Sequence, residues 1–259
     1  MINEIPAEER RVVLKRFERY DVGRKDIRYA YKTIMKKHVP LKLKQYHYHE
    51  FMEGIPRNSD ECAFRLLDFV STHFVHNGEV SLPPYRGMKD IIAASEEVEG
   101  KTNCRGLSII LAELLRINGI KARHVTCKPY EEPFTDCHVV VDCILPSGQR
   151  VMLDPTYDLY LTDDIGNYVS LESLREGIIK GSSFVANENA SYNGGEFNLS
   201  GYLEYMAKNA FRFASNVVLG DLRIEHAKLE IELIPAGYPI QGFSPKKNFV
   251  YNPEKFWAI

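Results

Sequence analysis

Three residues of complementary chemistry follow one another along the chain: Cys104, His138 and Asp154, at intervals of 34 and 16 positions. A thiol, an imidazole and a carboxylate are what acyl transfer through a thiolate requires. The thiolate attacks a carbonyl, the imidazole takes up and returns the proton, and the carboxylate fixes the ring tautomer and stabilises the imidazolium. Each residue alone has a plainer reading. A buried cysteine behaves as a small hydrophobe, a strand histidine is commonly just hydrogen-bonded, and an aspartate before proline is commonly a turn residue. Their joint occurrence on suitable elements makes them a candidate site.

The elements that must position them are legible. Cys104 stands in Lys101-Thr102-Asn103-Cys104-Arg105-Gly106-Leu107-Ser108, just before Leu107, Ile110, Leu111, Leu114 and Leu115 at helical spacing, and the run stops at Asn118-Gly119. The cysteine is thus expected in the first turn of a buried helix, where unpaired N–H groups and the dipole favour a thiolate. The period then changes. Lys121 to Lys128 reads as a strand, Cys137 to Leu145 as a Val-rich strand, Pro146-Ser147-Gly148-Gln149 as a turn, and Arg150 to Asp154 as the return strand, ended by Pro155. Such a hairpin brings His138 and Asp154 into neighbouring rows. Cys137 and Cys143 share one parity and are expected to face away from His138, while Cys62 and Cys127 sit in apolar runs. Tyr157-Asp158-Leu159-Tyr160 follows, placed either to line a groove or to pack the next loop.

Before this core, Val13, Phe17 and Tyr20, then Ile27, Tyr31 and Ile34, predict two basic amphipathic helices over 7–37. Leu41 to Phe51 alternates loosely and predicts a strand with His47 and His49 on one side. Asn58 to Glu61 offers caps for a helix carrying Cys62, Leu66, Phe69, Val70 and Phe74, residues 78–86 read as a loop, and Met88 to Glu97 reads as a short helix. Beyond the core, 187–198 is the best candidate linker, followed by a helix near 199–215 and a strand near 227–234. The expected class is α+β. The expected organisation is an N-terminal basic helical segment (1–57), a catalytic core (58–186) and a C-terminal α/β extension packed on it (187–259).

The composition, 44% hydrophobic and 26% charged with a net charge of −2, is that of a globular chain without strong general attraction to nucleic acid or anionic membrane. The charge is uneven: residues 1–45 carry +7 and the remainder −9. A basic start could dock a partner; were it a nucleic-acid surface over 10–44, binding would be strongly salt-dependent and indifferent to Cys104. The pairs His47/His49 and His73/His76 have spacings that can hold metal, but no cysteine or carboxylate set accompanies them, and neither metal nor cofactor is expected. Ser95 to Thr102 imitates a phosphate loop but has Ser95 where its first glycine belongs. Five cysteines without paired spacing, no membrane-length apolar run and no apolar signal stretch lead to the expectation of a reducing, cytoplasmic setting.

The segments Asn103 to Ser108, Leu111 to Arg123, Cys137-His138-Val139-Val140-Val141 and Leu153-Asp154-Pro155-Thr156 together resemble the transglutaminase-like superfamily over roughly residues 60–160. The resemblance implies a papain-like core with the cysteine helix packed on an antiparallel sheet. It implies Cys104 as nucleophile, His138 as general base and acid, and Asp154 as the orienting residue, acting on a peptide or protein amide by hydrolysis or by transfer to an amine. The alternative is a module of the same fold that binds a peptide or partner protein without catalysis. Some members bind the oxyanion with a tryptophan or glutamine upstream of the cysteine, whereas the single tryptophan here is Trp257. The backbone N–H of Cys104 supplies one donor, and Gln45, His47 and His49 are the candidates for a second.

Overall fold

The computed structural model describes residues 5–34, 38–130, 136–220, 230–240 and 248–259. In chain order the elements are α1 (Ala7–Arg16), β1 (Lys32–Thr33), a 3-10 helix (Leu41–Tyr46), α2 (Tyr48–Phe51), α3 (Asp60–His73), β2 (Val75–His76), α4 (Met88–Glu96), β3 (Lys101–Thr102) and α5 (Cys104–Ile117). Then come β4 (Lys121–Lys128), β5 (His138–Ile144), β6 (Arg150–Leu153), β7 (Leu161–Thr162), α6 (Leu171–Lys180), β8 (Val185–Ala186), α7 (Leu199–Asn209), β9 (Arg212–Asn216), β10 (Val218–Leu219), β11 (Glu230–Leu233), β12 (Asn248–Val250) and α8 (Pro253–Trp257). The α+β class follows from this order. Among the described residues no helix is long and apolar enough to cross a membrane.

A six-stranded sheet, in the order β12-β11-β9-β4-β5-β6, organises the chain; all neighbours are antiparallel except β11 and β12. Alternation along β5 divides the core in two. Val141 and Cys143 join Val151 and Leu153 under α3, α4 and α5, while Val140 joins Met152, Val125 and Phe213 against Leu14 of α1 and the apolar faces of α6 and α7. Each fully buried Leu, Ile, Val or Phe contributes about 1.5–3 kcal/mol relative to exposure, so both faces of β5 are held by packing. Three of the six strands come from beyond residue 187, so the C-terminal segment completes the sheet that carries the core.

Several expectations are corrected. Residues 27–34 form no second helix. Lys32–Thr33 pair in parallel with Val218–Leu219, and the Tyr31 hydroxyl reaches the Phe256 carbonyl at 2.7 Å. Two turns of apolar spacing are outweighed by that pairing and burial; residues 35–37 of the predicted helix lie outside the described residues. Leu41 to Phe51 is helical rather than extended, with His47 at φ 52 between its two short helices. The apparent alternation there is spurious, since Leu41 is 77% exposed and Leu43 fully buried. The helix expected to run to 215 ends at Asn209, because Arg212 to Ala214 pair with β4 and β11. The strand predicted near 227–234 is described from Glu230 only.

Candidate active site

Cys104 is the first residue of α5. Asn103 caps this helix: its Oδ1 accepts from the Gly106 N–H at 3.0 Å, and its Nδ2 donates to the Val80 carbonyl at 2.8 Å. Gly106 is fixed by crowding, since a Cβ there would stand 2.1 Å from Thr102 Oγ1 and 3.0 Å from Leu82 Cδ2. Ser108 Oγ donates to the Val139 carbonyl at 2.8 Å, which ties the start of α5 to the strand residue next to His138.

His138 opens β5 and is 2% exposed. Its Nε2 hydrogen-bonds Asp154 Oδ2 at 2.6 Å, which leaves Nδ1 as the nitrogen free to serve Cys104, a neighbour in the same cleft. The hairpin register, Val141 opposite Leu153, puts Asp154 one step past the paired rows and diagonal to His138 on the same face. Asp154 is fully buried and fully engaged: Oδ2 also accepts from the Tyr202 hydroxyl at 3.0 Å, and Oδ1 accepts from the Thr156 N–H at 3.0 Å. Burial pushes the Cys104 thiol up, but hydrogen bonds and charge from His138 and His76 outweigh it and hold the thiol down at about 6. Burial likewise opposes an imidazolium at His138, yet the Asp154 carboxylate and the Cys104 sulfur raise it to about 10. Both shifts favour a thiolate–imidazolium pair at neutral pH.

The pair opens into a cleft of about 250 Å³ whose walls include His76, Cys137, Tyr157 and Tyr205. Tyr157 and Tyr205 stand edge-on to the His138 ring, at centroid distances of 6.0 and 5.3 Å. Behind them Tyr157 packs on Tyr192, Phe197 and Tyr202. At the rim Asp136 accepts from Tyr205 at 3.3 Å and pairs with Lys208. Residues 131–135, the middle of the loop expected before His138, lie outside the described residues.

Four neighbours of the site are not assigned to it by the sequence: His76, which figures there only in a metal-spaced pair, and Tyr192, Tyr202 and Tyr205. Spacing along α7 could have marked Tyr202 and Tyr205 as one helix face, but nothing local ties that face to Asp154. His76 arrives through the parallel β2–β3 pair, which sets it opposite Thr102, two residues before Cys104. Gln45, His47 and His49 are corrected as oxyanion donors. Gln45 Nε2 donates to Glu96 at 2.5 Å, His47 lies 3.9 Å from Glu50, and His49 lines a separate cavity with Tyr48 and Met52. Cys143 faces the α5 side, as its parity requires, but Cys137 precedes β5 and lines the cleft beside His138. His73 does not join His76: its Nδ1 hydrogen-bonds the Phe69 carbonyl at 2.8 Å. Among the described residues no three His, Cys, Asp or Glu side chains are grouped to hold a metal ion. The 187–198 stretch, expected as a linker, is an ordered loop tied to Tyr157 and Tyr160 by hydrogen bonds of 2.8–3.2 Å.

A search of curated proteins gives no match. Among solved structures, a candidate cysteine protease from Cytophaga hutchinsonii is similar at 17% identity with a TM-score of 0.32, covering 60% of this chain. The chain spans about half, 51%, of that protein's length. Residues 48–155 match the transglutaminase-like superfamily, an interval that holds Cys104, His138 and Asp154. Over that interval the chain is similar to the transglutaminase-like superfamily.

Proposed function

We propose that this protein is a cysteine-nucleophile acyl-transfer enzyme acting on a peptide or protein amide, with Cys104 as nucleophile, His138 as general acid and base, and Asp154 as its orienting carboxylate. The observation that carries the reading is the 2.6 Å hydrogen bond from His138 to Asp154, with His138 and Cys104 lining one cleft. In the first half-reaction the thiolate forms a C–S bond to the amide carbon, and the carbonyl π electrons move to oxygen near the free backbone end of α5. Collapse of that intermediate breaks the C–N bond, and the leaving amine takes the proton from His138 Nδ1. In the second, His138 accepts a proton from water or an amine as its oxygen or nitrogen attacks the thioester. The C–S bond then breaks and the thiolate–imidazolium pair is restored. Asp154 keeps Nε2–H pointed inward throughout, so Nδ1 is always the nitrogen that exchanges the proton.

The test compares iodoacetamide labelling near pH 6 in the wild type and in Cys104→Ala, read by mass spectrometry of peptides. An ordinary thiol of pKa about 8.5 is almost wholly protonated there, so Cys104 should react on the order of tenfold faster than the other cysteines. Labelling spread evenly over all five would sink the proposal. A peptide and glutamine amide library, run with and without an added primary amine, then separates hydrolysis from transfer; selective labelling with no turnover of any amide would favour the peptide-binding alternative.

A further inference from the structure

His76 lies outside the triad yet lines the same cleft as Cys104. It is held from a remote part of the chain. Asn193 clamps its backbone on both sides: Oδ1 accepts from the His76 N–H at 2.8 Å, and Nδ2 donates to the His76 carbonyl at 3.1 Å. Asn193 does so at φ 50, in the left-handed region that asparagine tolerates better than most residues. The neighbouring Tyr192 hydroxyl meets His76 Nδ1 at 3.0 Å, with the two rings 5.6 Å apart. The loop bearing both is anchored to the wall of the cleft, where the Ser191 N–H donates to the Tyr157 carbonyl at 2.8 Å.

We infer that His76, positioned by Tyr192 and Asn193, is a second electrophilic donor of the reacting centre, stabilising the Cys104 thiolate at rest and the substrate oxyanion during attack. The inference rests on the acyl-transfer reading and identifies the donor opposite the Cys104 backbone N–H. Nδ1 is engaged by Tyr192, so Nε2 is the nitrogen left for sulfur. A thiolate accepts and does not donate, which requires Nε2–H and makes the Tyr192 hydroxyl the donor to Nδ1. As the C–S bond forms, negative charge leaves sulfur for the carbonyl oxygen, two bonds away. A donor beside the sulfur in this cleft is therefore already close to where the oxyanion develops, with no proton transferred.

Two reactions at Cys104 test this without knowledge of the substrate. Iodoacetamide reacts by displacement of iodide at a saturated carbon, with no oxyanion. In acylation by p-nitrophenyl acetate the thiolate attacks the carbonyl, an oxyanion forms, and the ester C–O bond breaks to release p-nitrophenolate. Both rates are taken on the pH plateau, so changes in thiol ionisation cancel. In the full chain, His76→Phe is expected to slow acylation at least tenfold more than alkylation, and His76→Gln, which keeps an N–H donor, to recover part of the loss. Tyr192→Phe, at a side chain 41% exposed and so harmless to folding, should shift the ratio in the same direction by threefold or more. Equal slowing of the two reactions by His76→Phe, or an unchanged ratio, would overturn the proposal while leaving the triad intact. If wild-type Cys104 is alkylated no faster than the other cysteines, the acyl-transfer reading falls, and this one with it.

Discussion

Strand β5 carries a buried ionisable network near each end of one face, and the two do different things. At its start His138 joins Asp154 at 2.6 Å. Four residues on, Asp142 joins Arg123 at 3.0 Å and Arg150 at 3.1 Å. Both carboxylates are fully enclosed. The Arg123 end is sealed by rings, its guanidinium lying 4.7 Å from the centre of Tyr31, 4.8 Å from Phe256 and 5.4 Å from Trp257. The N-terminal segment and the C-terminal helix thus meet over it, and Trp257, the lone tryptophan, belongs to this end. The His138 end opens into a cleft and faces a thiol. Guanidinium keeps its proton at any physiological pH and can only hold charge, whereas imidazole can give and take a proton. The same sheet geometry yields a fastening at one end and a candidate reacting centre at the other. The difference lies in residue type and access, not in burial.

Three changes should separate the two ends. The largest effect is expected from Asp142→Ala, which leaves Arg123 buried without its carboxylate and should cost about 3–5 kcal/mol in urea unfolding. The molecules that remain folded should still alkylate selectively at Cys104; loss of that selectivity in folded protein would mean the ends are coupled. Next is the site itself, whose turnover should rise as pH climbs through about 6, where Cys104 ionises, and fall through about 10, where His138 loses its proton. Tyr202→Phe removes a donor to Asp154, so turnover should drop roughly three- to tenfold and stability by roughly 1–2 kcal/mol. A flat profile between pH 5 and 8 would contradict an activated thiol.

The smallest effect concerns a third carboxyl, one with neither cation nor catalytic partner among the described residues. Burial, and then the charge of Asp68, raise Asp158 to about 7, against a hydrogen bond from Ser71. Because the folded value lies above the unfolded one, ionisation costs stability as pH rises from about 4, and the cost is complete above about 7. Asp158→Asn keeps a residue suited to its φ of 46 and should stabilise the protein by about 1 kcal/mol at pH 8 but not at pH 3. Equal unfolding temperatures for the two proteins at pH 8 would show that the buried carboxyl is solvated after all.

Legibility varied with how local the cause was. The α5 boundary followed from Asn103, Gly106 and the apolar repeat, all within a few turns. The β5–β6 hairpin followed from a period of two and the Pro146 to Gln149 turn. In Leu41 to Phe51 two leucines two apart mimic a strand, although only Leu43 is buried. The helical spacing of residues 27–34 is overridden because their structure is set by partners at Val218–Leu219 and Phe256. The 187–198 stretch looked like a linker from its Asn and Gly content, while those same residues supply side-chain and turn hydrogen bonds that order it.

By itself the sequence determined that a thiol opens a buried helix and that an imidazole and a carboxylate share a hairpin, because caps, turns and hydrophobic periods act over a few residues. Only the tertiary structure decided what surrounds them. His76 meets Tyr192 across 116 residues and Tyr202 meets Asp154 across 48, contacts for which no local pattern codes. They arise when burying the two faces of one sheet forces distant segments together, and it is there that a second imidazole comes to line the cleft of Cys104.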